Sequence, residues 1–119
     1  MNLTEILLNK DEAHKIKGEI YKITNLINNK MYIGQTRTHY LNKGKYRPFG
    51  YIGRFNSHIS ESKSLVKFNS CRYLNSSFNK YDIENFKCEL LYTCDVNELD
   101  EYETKYIYEL NQDIQMVII

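Results

Sequence analysis

From Gly18 to Gly34 the chain has one economical local structure open to it, a β-hairpin. Gly18-Glu-Ile-Tyr-Lys-Ile-Thr24 sets apolar Ile20 and Ile23 among polar partners and is rich in Tyr and Ile, so it reads as a strand. Asn28-Asn29-Lys30 supplies the turn, and Met31-Tyr32-Ile33-Gly34 is the returning strand. A two-stranded hairpin is marginal on its own in water. The remaining residues must therefore build the rest of a sheet and the helices that cover it.

Residues 35–50 hold Gly44, Pro48 and Gly50 without periodicity and read as a loop. A helix is expected from Arg54 to about Ser62, with Phe55, His58 and Ile59 on one face. Leu74 and Phe78 support a second helix around 70–80, and Asn85 to Tyr92 reads as a third strand. Asp95-Val-Asn-Glu looks like a helix start, with Asp95 or Asn97 as its cap. Leu99, Tyr102, Tyr106, Ile107 and Leu110 mark the buried stripe of that last helix. Residues 1–13 read as a short amphipathic helix or a loose lead-in. The fold class is α+β, a small three-stranded antiparallel sheet flanked by helices.

A chain of 119 residues suits one domain, and 42% hydrophobic composition suffices for a core. No apolar run is long enough to span a membrane, and the first residues lack the layout of a secretion signal. Cys71, Cys88 and Cys94 form no CxxC pair, which disfavours a disulfide scaffold or zinc finger and points to a soluble, intracellular setting, cytoplasm or host nucleus. Net charge is only +1, yet its distribution is lopsided. Residues 14–80 carry 13 Lys/Arg against 2 Glu, whereas residues 81–119 carry 2 Lys against 10 Asp/Glu. Such a split suits a polyanion on the basic part and a cation near the acidic part. The alternative is two solvated faces that neutralise each other across the fold.

Five residues carry candidate chemistry. Tyr21 and Tyr32 lie on the two hairpin strands, near each other. A tyrosine takes a proton only if local positive charge pulls down its pKa, near 10 when unperturbed; otherwise both are ordinary strand aromatics. Arg54 and His58, spaced i, i+4, point to one side of a helix and suit a phosphate, or else form a solvated pair. Glu103 falls on or near the buried stripe of the last helix, whereas Glu101 should face water. An inward carboxylate needs a partner, either a hard divalent cation or a neighbouring Lys or Arg. His14 and His39 have no ligand-like neighbours, and the cysteines read as core or loop residues.

In sequence order these pieces are Gly18-Glu19-Ile20-Tyr21, Met31-Tyr32-Ile33-Gly34, Arg54-xxx-His58 and Glu103-Thr-Lys-Tyr106-Ile107. Together they resemble the GIY-YIG endonuclease catalytic domain, over about Lys17 to Asn111. Residues 71–81 and 85–91 also look like family members from large DNA viruses and phages. Tyr51-Ile52-Gly53 repeats the YIG letters but lies 30 residues after Tyr21, too far for a hairpin partner; Tyr32 is the match. The resemblance implies hydrolysis of DNA phosphodiesters with one divalent metal, usually Mg²⁺. It implies Glu103 as metal ligand, Tyr21 as base toward the attacking water and Tyr32 assisting. Arg54 would steady the phosphate, and His58 would support proton movement.

Two departures accompany the resemblance. Glu19 is an extra acid in the GIY letters. The tail from Asn111 to Ile119 lacks the Gly-Tyr-Asn segment whose Asn helps to form the family's active site, and Asn111 is a poor stand-in. One permitted set of codons for 111–119, read from its third base, spells Ser-Arg-Tyr-Pro-Asn-Gly-Tyr-Asn, the ending expected of the family. The tail at 112–119 therefore reads as the product of a frameshift, after a lead-in at 1–16 and a nuclease domain at 17–111. The expected function is a metal-dependent DNA endonuclease. The alternatives are a catalytically impaired DNA-binding remnant and, on weaker support, a protein-interaction module. Specificity and oligomeric state are not legible.

Overall fold

A computed structural model describes residues 6–63, 72–110 and 116–118. Strand β1 (Gly18–Asn25) occupies the middle of the sheet, antiparallel to β2 (Met31–Arg37) on one side and to β5 (Phe86–Cys94) on the other. This is the three-stranded antiparallel sheet that the pattern predicts. The hairpin turn works through its asparagines. The Asn25 side-chain carbonyl accepts from the Ile27 amide, that of Asn28 accepts from the Lys30 amide, and Asn29 takes the left-handed conformation (φ 59°) that Asn tolerates well.

Residues 35–50 correct the loop expectation. β2 runs on to Arg37, and β3 (His39–Asn42) pairs antiparallel with β4 (Lys45–Pro48) as a separate two-stranded hairpin. Its two-residue turn, Lys43-Gly44, has φ of 53° and 79°. Strands of four residues are too short to show a period, and Lys-Gly is not among the strong turn pairs. The lead-in is tied to this hairpin: Leu8 is buried and exchanges two backbone hydrogen bonds of 2.9 Å with Tyr46. A 3₁₀ helix at Lys10–Lys15 follows; of the stretch 1–13 read as a short amphipathic helix or a loose lead-in, residues 6–9 are not helical and 1–5 lie outside the described residues. A fourth strand, β6 (Met116–Ile118), joins the sheet parallel to β2, opposite residues 31–33. Asn111 and Cys71 lie outside the described residues.

Side chains alternate across a strand, so the sheet splits the core in two. On one face Tyr21, Ile23, Tyr32 and Phe86 pack with Leu74 and Phe78 of α2 (Arg72–Lys80) and with Phe55 and Ile59 of α1 (Gly50–Lys63). Phe78 makes edge-on contacts to Phe55 and Phe86 at 6.0 and 4.6 Å between ring centroids. On the other face Ile20, Ile33 and Cys94 meet Leu99, Tyr102, Tyr106, Ile107 and Leu110 of α3 (Leu99–Leu110), the stripe read from sequence. Asp95 starts that helical segment with a capping box to Glu98, around a 3₁₀ turn at Val96–Glu98.

Gly18 shows why the motif begins with glycine. A Cβ there would sit 2.4 Å from Leu99 Cδ2, so α3 approaches β1 as closely as it does only over a bare backbone. Gly18→Ala is expected to destabilise the fold by about 1–3 kcal/mol, the usual cost of overpacking. Pairing it with Leu99→Ala should recover part of that loss in a denaturation double-mutant cycle. Strict additivity would show that the contact does not limit the approach.

Candidate active site

Tyr21 and Gly34 are direct cross-strand partners, and the tyrosine ring lies across the glycine. A Cβ on Gly34 would stand 2.5 Å from both Tyr21 Cζ and Oη. The last glycine of the second motif therefore makes room for the phenol of the first. From there the Tyr21 hydroxyl reaches His58 Nε2 at 3.1 Å. Tyr21 is 1% exposed and His58 0%, so this bond is made without competing water.

α1 brings His58 to that point, and Glu19 sets where α1 starts. The Glu19 carboxylate, 2% exposed, accepts from the Tyr51 amide at 2.9 Å in the first turn of the helix. A carboxylate there satisfies an orphan donor and faces the positive end of the helix dipole. Burial pushes the Glu19 carboxyl above its ordinary range, and the Tyr51 amide partly opposes that. The extra acid in the GIY letters thus docks β1 to α1. Strand alternation carries the signal, because residues 19, 21 and 23 share one face.

His58 is held neutral. Burial, and secondarily the positive charge of Arg54, bring its pKa from 6.5 down to about 4. Arg54 stands one turn earlier on the same helix, half-buried, as the i, i+4 spacing requires. Glu61 Oε2 lies 3.8 Å from His58 Nδ1, too far for a hydrogen bond, and Nδ1 has no hydrogen-bond partner among the described residues. A neutral imidazole can accept the Tyr21 hydrogen at Nε2.

Tyr32 shares this face but not this bond. It sits opposite Ile23, and its hydroxyl is hydrogen-bonded to Ser77 Oγ of α2. Burial raises the phenol's pKa, against a lowering contribution from Ser77, so Tyr32 stays a neutral phenol that anchors β2 to α2. Ser77 carries no motif of its own and is found only through the fold.

Glu103 comes from the other side of the sheet. Gln35, next after Gly34 on β2, points to the α3 face, where its side chain donates to Glu103 and, at 2.8 Å, to Asp100 Oδ1. Burial, with Asp100 adding, raises the Glu103 carboxyl above its ordinary range, and the Gln35 bond opposes this. One oxygen, Oε2, is buried with no hydrogen-bond partner among the described residues. Glu101, as expected, is exposed. The two halves of the candidate site meet at Gly34-Gln35, with Tyr21 over one face and Glu103 against the other. β6 pairs only as far as Ile33, so among the described residues no strand covers β2 at that point.

The buried orphan oxygen of Glu103 fits a hard cation, whose charge would offset the cost of burying a carboxylate. Among the described residues no three His, Cys, Asp or Glu gather into a metal cage.

His58 makes folding pH-dependent. Its folded pKa lies below the unfolded value, so between pH 6.5 and about 4 the unfolded chain binds the extra proton. The stability tied to a neutral His58 is complete above pH 6.5 and lost as pH falls toward 4. Glu19 and Glu103, whose pKa values are raised, act in the opposite sense. Denaturant unfolding of parent and His58→Gln isolates the histidine: the stability difference should shrink by about 3 kcal/mol between pH 7 and pH 4. A constant difference would mean that His58 titrates as if in water.

Comparison with known proteins places this geometry. Residues 3–115 match the family model for the GIY-YIG domain of endonuclease segE. The chain is structurally similar to the catalytic domain of homing endonuclease I-TevI, with TM-score 0.63 and 27% identity, over 87% of this chain and 98% of that one. A mutant form of the catalytic domain of intron endonuclease I-TevI matches with TM-score 0.59 and 27% identity, over 80% and 84% of the two chains. No curated protein matches it. With the family model spanning nearly all of its length, the chain belongs to the SegE-like GIY-YIG endonuclease family.

Proposed function

We propose that this domain hydrolyses phosphodiester bonds of DNA with the help of one divalent cation. The observation that carries the reading is the enclosed Tyr21–His58 hydrogen bond on the family's motif residues, with Arg54 one turn away. The neutral His58 draws on the phenol hydrogen, which leaves the Tyr21 oxygen richer in electron density toward a water. Arg54 supplies positive charge for a phosphate. Tyr32 holds β2 against α2 through Ser77 and supports the site by position. Glu103 would hold the cation, normally Mg²⁺, through its buried oxygen. A divalent cation there would offset charge on the phosphate and the departing oxygen.

The burial of Tyr21 and His58 also favours a second reading, a DNA-binding remnant that keeps the fold without cutting. A base must touch its water, whereas a core tyrosine need not. Plasmid cleavage in Mg²⁺ and in EDTA separates the two. The parent should cut only with Mg²⁺. Glu103→Ala should lose detectable cutting while binding DNA nearly as well as the parent. Tyr21→Phe removes only the hydroxyl and should cut at least about 100-fold more slowly, the usual contribution of a positioned base. Cutting that survives Glu103→Ala would remove Glu103 from the site. A fully active Tyr21→Phe would return Tyr21 to the core. A parent that binds DNA but never cuts would establish the remnant.

A further inference from the structure

The β3–β4 hairpin belongs to none of the four motifs, yet it lies in sequence between the second motif and the helix of the third. We propose that it is an arm that grips the DNA backbone beside the cleavage site; this rests on the reading of the chain as a DNA nuclease. The first argument is charge. Arg37, Lys43, Lys45 and Arg47 fall within eleven residues that contain no acid. None of the four makes an ion pair among the described residues. Elsewhere Lys15 pairs with Glu12, Lys17 with Asp95, and Lys22 and Lys87 with Glu89. Other surfaces mix paired lysines with single ones left unpaired among the described residues, such as Lys10 and Lys30, whereas this stretch gathers four cations with no acid among them.

The second argument is register. Tyr40 is opposite Arg47 and Asn42 opposite Lys45, so one face of the hairpin carries an exposed tyrosine, an amide and two cations. Lys43 adds an exposed cation in the turn at the tip. Its φ of 53° is a conformation that Asn or Gly adopts at lower cost, so the chain accepts strain to keep a cation there. Cations with an interleaved aromatic are the side chains that hold a phosphate backbone and rest against sugar or base.

The third argument is position and rigidity. The hairpin is sewn to the domain by the Leu8–Tyr46 bonds, by the Phe49 amide to the Thr38 carbonyl at 2.8 Å, and by buried His39, which bonds Thr38 and the Ile6 carbonyl. A groove of about 750 Å³ runs between the hairpin and the start of α3, and Gln35 and Asp100 form its far wall. Those two residues are joined to each other, and Gln35 also bonds Glu103. Lys43, Lys45 and Arg47 lie outside this groove, but Arg37 and Tyr40 line it, so a strand held by the hairpin would pass these two residues on its way toward the proposed metal ligand.

Binding of a fluorescent duplex of about 30 base pairs, followed by anisotropy in EDTA from about 50 to about 200 mM salt, tests the arm. The variants are Lys43→Gln/Lys45→Gln/Arg47→Gln and the pair Lys43→Gln/Lys45→Gln, both of whose side chains are exposed. Lys15→Gln/Lys17→Gln/Lys87→Gln removes equal charge from the paired surfaces. The hairpin triple should bind at least about tenfold more weakly near 0.1 M salt, and its log–log salt slope should flatten by about 2 to 3, roughly 0.9 per lost phosphate contact. The pair should flatten it by about 2, and the control should leave it unchanged. Equal losses in hairpin and control variants would reduce the effect to net charge and overturn the arm. Parent-like binding by both hairpin variants would also overturn it, leaving the nuclease reading intact if the parent cuts. A parent that binds no duplex would overturn both.

Discussion

The hydrogen bond between Tyr21 and His58 is the constraint on which the rest of the arrangement depends. It joins the middle strand of the sheet to α1 at 3.1 Å with no water to relieve a misfit. A buried phenol or imidazole left unmatched costs on the order of 1–3 kcal/mol, a large part of what so small a domain can muster. The neighbouring residues serve this contact. Gly34 clears the space for the ring, Glu19 fixes the start of the helix, and Arg54 helps to keep the imidazole neutral. Motif letters that look like a string of separate roles are, physically, one packing problem.

The two motif glycines illustrate this from opposite faces of the sheet. Gly34 admits Tyr21 on the α1 side, and Gly18 admits Leu99 on the α3 side. Neither has a positive φ, so backbone freedom is not the reason for glycine at either place. Missing side-chain volume is. Each glycine thus lets one layer come close to the sheet, and the Gly34-Gln35 step of β2 has Tyr21 over one face and, through Gln35, Glu103 against the other.

Much of this was legible in the sequence because the signals are local. The hairpin, the stripe of α3 and the inward direction of Glu103 follow from periods of 2 and 3.6 residues, and the structure has them where those periods put them. What was not legible depends on tertiary company. Strands β3 and β4 are too short to show alternation, and Leu8, Thr38 and Phe49 stabilise them from outside. Ser77 is one serine among many until α2 sets it beside Tyr32. Glu19 reads as a stray acid in a strand until α1 presents an amide to it. The Tyr21–Tyr32 proximity was readable, but the divergence of their hydroxyls, one to His58 and one to Ser77, was not.

The lopsided charge of the chain now has a spatial meaning that a count cannot supply. Among the described residues the acidic C-terminal part neutralises two lysines of the basic part directly: Asp95 pairs with Lys17 and Glu89 with Lys22. Exposed pairs of this kind add little stability, about 0 to 1 kcal/mol each. Their consequence is subtraction: they remove positive potential from the surfaces where they occur. The cations of the β3–β4 hairpin are a group left unpaired among the described residues, and the adjoining Arg37 lines the groove walled by Gln35 and Asp100. A polyanion approaching this domain meets a field shaped as much by which lysines are silenced as by which are present. On the proposed reading, the acidic residues of the C-terminal part would contribute to substrate placement as well as supplying Glu103, whose Oε2 is buried.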